Sequence, residues 1–159
     1  MDRREFLLSC AALPAVSYLT TERKAPAVGV RFPVVFQQAD VLNKNRRIYP
    51  RAVLQAAVED FKATCNARQV LGELGPPRDA KIRLGNSCHL VLNPRMVNDR
   101  AMADIEIINT PIGQTLRLLM EGGVDVAFRA AGIGTVINGV VQPDFKFISV
   151  FACPAEDAA

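Results

Sequence analysis

Val28, Val30, Phe32, Val34 and Phe36 alternate with other residues, which is the period-two pattern of a strand with one buried face. The hydrophobic period then changes. Leu54, Val58, Phe61 and Cys65 recur at helical spacing and draw one apolar stripe along about four turns. Pro50 stands where such a helix can begin without losing a hydrogen bond. Alternation returns at Ala101, Ala103, Ile105 and Ile107. A chain that switches from strand to helix to strand in this way folds as a sheet with inserted helices.

The remaining segments fill in that plan. Residues 88–92 read as a short strand, 93–99 as turn residues, and 72–85, rich in Gly, Pro and charge, as an exposed loop. Thr110 before Pro111 is a cap followed by proline in the first turn, Leu116, Leu119 and Met120 give that helix a buried side, and Gly122-Gly123 ends it. Residues 124–128 and 134–141 read as strands separated by a small-residue turn. Phe145, Phe147, Ser149 and Phe151 fall on one face of a last strand, and the tail after Pro154 reads as a frayed end. The sum is an α+β domain over residues 27–159, with a mainly antiparallel sheet and two helices.

Residues 1–26 differ from this domain. A basic start, an apolar stretch and a polar segment follow the order of a secretory signal, and Arg3-Arg4-Glu5-Phe6-Leu7 is similar to the core of a twin-arginine export signal. The simpler reading is an N-terminal arm that packs on the domain. The apolar run at 6–19 is broken by Pro14 and falls short of the roughly 20 residues of a spanning helix. With 19 basic and 16 acidic residues the net charge is +3, and the basic residues are scattered, which gives nucleic-acid binding little support. Cys10, Cys65, Cys88 and Cys153 lie far apart, so neither a metal site nor a disulfide framework is expected. No cofactor motif stands out.

The residues of general chemistry are few. His89 is the single histidine. Its candidate partners are Ser149 as a serine nucleophile and Cys88 as a thiol, although neighbours in a strand point to opposite faces and should not readily share a proton. Glu73 and Asp79 flank the Gly/Pro loop as a possible carboxylate pair. Gly132-Ile133-Gly134 is a weak phosphate-loop candidate, because no helix follows it.

Four segments in order resemble the prohead (capsid maturation) serine proteases of tailed phages. Phe36-Gln37-Gln38-Ala39-Asp40-Val41-Leu42-Asn43-Lys44-Asn45-Arg46-Arg47-Ile48-Tyr49-Pro50 resembles the family's opening loop and Tyr-Pro helix start. Leu71-Gly72-Glu73-Leu74-Gly75-Pro76-Pro77-Arg78 is similar to its Gly-Glu-Leu-x-His-Pro segment. Thr110-Pro111-Ile112-Gly113, with the helix that follows, resembles the approach to its Ser-Ser-Arg-Gly nucleophile turn, and Gly132-Ile133-Gly134-Thr135-Val136 the stretch after it. The last strand, at 145–150, and the Pro-Ala ending also match. The resemblance implies a compact, barrel-like sheet with helices around it, related to the herpesvirus assembly proteases.

The departures fall on the chemistry. Gly75 and Pro76 occupy the place of the family's histidine, and Arg129 and Ala130 occupy the two serine positions. None of these can serve as a nucleophile or take its proton. The resemblance therefore implies a degenerate, catalytically inactive homologue acting in capsid assembly inside proheads, in the host cytoplasm, with capsid and scaffold or core proteins as partners and self-association possible. Two alternatives stand beside it: an active endopeptidase built on His89 with Ser149 or Cys88, and an exported bacterial protein that reuses the fold.

Overall fold

The computed structural model describes residues 29–158, and the signal-like segment lies outside the described residues. The first alternation becomes β1 (Arg31–Gln38) and the second becomes β4 (Arg100–Ile107). They pair antiparallel, with Phe32 opposite Ile105 and Val34 opposite Ala103. The helical stripe becomes α1 (Arg51–Ala67), which buries Leu54, Ala57, Val58 and Phe61. Asp40 accepts a hydrogen bond from the Arg51 amide at 3.1 Å and so serves one of the donors that open α1.

Several segments differ from the sequence reading. The loop reading fails at its start, where β2 (Val70–Glu73) pairs with β3 (Ser87–Val97) and buries Gly72 and Glu73. The strand expected to stop at residue 92 continues through Asn93 and Pro94. A register shift between Leu92 and Arg95 absorbs them, and a bulge is where a proline without an N–H can sit in a ladder. The turn comes later, at Asn98, whose φ is 55°.

The second helix follows its signals. In α2 (Pro111–Glu121) the Thr110 hydroxyl accepts from the Gly113 amide at 3.0 Å and donates to the Ser87 carbonyl at 2.6 Å. The cap therefore also ties α2 to β3. Beyond it, β5 (Val126–Ile133) runs unbroken through the residues read as a small-residue turn, and pairs antiparallel with β8 (Lys146–Pro154). Between them β6 (Val136–Ile137) and β7 (Val140–Val141) form a small hairpin across Asn138-Gly139, both at positive φ as a tight hairpin turn requires.

The phenylalanine stripe on the last strand is split. Ala131 pairs with Ser149 but Gly132 pairs with Phe147, so Ile148 is an extra residue and the side-chain faces exchange there. Phe145 and Phe147 enter the main core, while Phe151 and Cys153 join Ala131 in a second, smaller cluster on the other face of β5–β8. The tail is a short 3₁₀ turn (Ala155–Ala158) rather than a frayed end, held where the Ala155 amide donates to the Asp125 carbonyl.

The strands run β1–β4–β3–β2, and the order then continues into β8 and β5. The join is made just past β2, where Leu74 bridges Ala152 in parallel and the Gly75 amide donates to the Ala152 carbonyl at 2.7 Å. Side-chain packing closes the remaining seam: β5 lies against β1, with Phe32 and Phe128 edge to face at 5.8 Å. The result is α+β, mainly antiparallel and barrel-like, with α1 packed over β3 and β8 and α2 against β3. Phe36, Phe61 and Phe147 meet in the core at 5.3–6.5 Å, in tilted and edge-to-face contacts that add about 1 kcal/mol each to the burial of their area.

Candidate functional site

The positions assigned by the family resemblance converge on β8. Leu74 and Gly75 lie along one edge of Ala152, and β5 lies along the other edge, where Phe128 pairs with Ala152 and Arg129 with Phe151. Two strand spacings separate the Gly75–Pro76 and Arg129–Ala130 backbones, roughly 10 Å. At Gly75 φ is +93°, and an added Cβ would meet open space. Arg129 and Ala130 sit inside a regular ladder, not on a turn. Alternation sends Ala130 into the main core and Arg129 to the face shared with Ala127, Ala131 and Phe151.

Arg129 is 3% exposed, and among the described residues none of its three guanidinium nitrogens has a hydrogen-bond partner. A buried charge is ordinarily paired, because leaving it alone in an apolar setting costs several kcal/mol. Nothing in the sequence pattern foretold this. The side chain becomes remarkable only once β5 is seen to bury both of its faces.

The fallback residues are brought closer than strand geometry suggested. Cys88 Sγ lies 3.0 Å from His89 Nδ1, so the expectation that these neighbours stay apart is corrected. Nδ1, the ring nitrogen nearer the chain, is the one that reaches the preceding side chain. His89 Nε2 donates to the Val150 carbonyl at 2.7 Å, which leaves Nδ1 as the acceptor for the Cys88 thiol. Phe128 stands edge-on to the imidazole at 5.4 Å. The pair sits across β2 from Gly72, where any Cβ would overlap both His89 Nε2 and the Val150 carbonyl oxygen. Gly72 is therefore the residue that makes room for His89, a link between a motif glycine and the single histidine that spacing alone does not reveal.

The electrostatics run against a thiolate–imidazolium pair. Burial lowers the His89 pKa to about 4, against a smaller upward pull from its bond to Val150. Burial, reinforced by the Glu73 carboxylate, pushes the Cys88 thiol up to about 12. Each shift favours the neutral form. Ser149 is fully buried, and its hydroxyl donates to the Leu71 carbonyl at 2.6 Å, so its proton is directed to the backbone. Ser149 and His89 make no hydrogen bond to each other among the described residues.

The other candidates resolve into structure. Glu73 is buried and accepts from the Arg83 amide, which holds the loop after β2, and no contact joins it to Asp79 among the described residues. Gly132 and Gly134 pack against Phe145, where a Cβ at either would collide with the phenylalanine, so the Gly-x-Gly run accommodates a ring and cradles no phosphate. Cys65 and Cys88 are free thiols, and among the described residues no group of acidic, histidine or cysteine side chains is placed to hold a metal ion. Among the same residues no helix is long and apolar enough to cross a membrane.

Comparisons with known proteins agree with the fold and with the motif order. The chain is similar to the bacteriophage T4 capsid assembly protease, whose solved structure superposes with a TM-score of 0.72 at 25% identity, covering 79% of this chain and 81% of that one. It is also similar to the prohead core protein protease of Enterobacteria phage T4, 38% identical over 55 residues, which is 34% of this chain and 26% of the relative. That sequence match thus spans about a quarter of the relative's length. Residues 19–150 match the prohead core protein serine proteases as a family. The chain belongs to the prohead core protein serine protease family.

Proposed function

We propose that this family member no longer cleaves peptide bonds and acts as a structural component of capsid assembly, inside proheads and in contact with capsid and scaffold or core proteins. One observation carries the reading: the residues at the family's nucleophile positions, Arg129 and Ala130, lie buried in an unbroken strand, and Gly75 and Pro76 stand at the position of the base. A nucleophile and its base act as a unit, and loss of both members leaves no covalent route. The scaffold that held them is kept, which favours selection for shape and contacts. The test is co-expression with the phage's own capsid and scaffold proteins. The chain is expected to co-purify with the particles, and its failure to do so would remove the structural role.

A second reading has a specific observation in its favour, the 3.0 Å contact between Cys88 and His89. Burial of both groups and their opposed pKa shifts weigh against it. A native chain whose Cys88 is alkylated by iodoacetamide at neutral pH would favour that reading over ours.

A further inference from the structure

We propose that Arg129 is the receptor for a single carboxylate that comes from outside the described side chains. Along β5, Ala127, Arg129 and Ala131 share one face, and across the ladder Arg129 stands opposite Phe151, in a cluster with Cys153. These neighbours carry no charge and no strong acceptor. Arg129 is nevertheless buried, and among the described residues all three of its guanidinium nitrogens are without partners. An arginine cannot escape this by losing its proton. The missing acceptor has to be supplied by another group.

The chemistry of the guanidinium selects the class. A guanidinium presents parallel N–H donors in a planar fork that matches the two oxygens of a carboxylate. One positive charge in neutral surroundings is balanced by one negative charge. A phosphate dianion would leave excess charge among Ala127, Ala131 and Phe151, and chloride offers one acceptor atom where the fork presents two parallel donors. The carboxylate has two possible sources, the chain's own acidic side chains outside those described (Asp2, Glu5, Glu22 and Asp157) or an acidic side chain of another protein. The inference holds whether or not catalysis is lost, because it rests on the unpaired guanidinium alone.

The test is thermal unfolding of the full chain in sodium acetate, sodium chloride and sodium phosphate at matched ionic strength. Arg129→Met and Arg129→Lys are run beside it, together with a chain carrying Asp2→Asn, Glu5→Gln, Glu22→Gln and Asp157→Asn. If the carboxylate comes from another protein, acetate raises the midpoint of the wild type saturably, by roughly 5–10 °C at a hundredfold excess over its dissociation constant. Arg129→Met does not respond, and Arg129→Lys, which lacks the fork, responds at least tenfold more weakly. If the chain supplies its own carboxylate, the wild type is flat and the neutralised chain gains the acetate response. Both results support the proposal and identify the source. Lack of response in both chains, an equal response in Arg129→Met, or phosphate matching acetate would each overturn it.

Discussion

Acid should destabilise this domain through His89, and the size of the effect follows from its burial. The imidazole is wholly buried, donates from Nε2 to Val150 and accepts at Nδ1 from Cys88, so a second proton has no place to go. Its pKa falls from 6.5 to about 4 on folding. Between these values the unfolded chain binds a proton that the folded chain does not, so stability falls as pH falls. The contribution is complete above pH 6.5, about 2 kcal/mol is lost by pH 5, and about 3 kcal/mol by pH 4. Because the chain has one histidine, no other imidazole shares that window. Urea unfolding followed by circular dichroism at pH 7.5, 6 and 5 would measure it, with His89→Gln as the non-titrating reference that keeps a donor toward Val150. The wild type should lose about 2 kcal/mol more than the variant between pH 7.5 and 5. Parallel losses in the two proteins would refute the buried, neutral histidine.

Two further substitutions probe how the site is held. Gly72→Ala places a methyl group against His89 Nε2 and the Val150 carbonyl, and should cost about 2–4 kcal/mol from overpacking and a disturbed buried hydrogen bond; denaturant unfolding would show it, and a loss under 0.5 kcal/mol would mean that β2 can shift freely. Thr110→Ala removes both the α2 cap and the bond to Ser87, for an expected loss of about 1–2 kcal/mol, and Thr110→Ser should recover most of it.

The elements that could be read from the sequence were those whose pattern is local. β1, β4 and α1 declare themselves by period, and α2 by its Thr-Pro start and Gly-Gly stop. The misread elements depend on distant partners. β2 is four residues long and contains Gly72, which its place opposite His89 requires; nothing nearby in sequence signals that. Arg129-Ala130-Ala131-Gly132 has the composition of a turn, and only pairing with β8 makes it a strand. The aromatic run of β8 looked one-sided because alternation assumes an unbroken pleat, and the extra residue Ile148 reverses the faces midway. The site was legible to a similar degree. The order of the motifs pointed to Gly75, Pro76, Arg129 and Ala130 as its positions, while the Cys88–His89 contact and the unpartnered state of Arg129 are properties of packing.

These local readings bear on one claim, that the fold of a prohead protease is kept here without its chemistry. Intact-mass analysis of the phage's capsid and scaffold proteins, co-expressed with and without this chain, tests that claim most directly. The account expects every partner mass to remain unprocessed in both cases. A defined fragment lost from a partner only when this chain is present would contradict it.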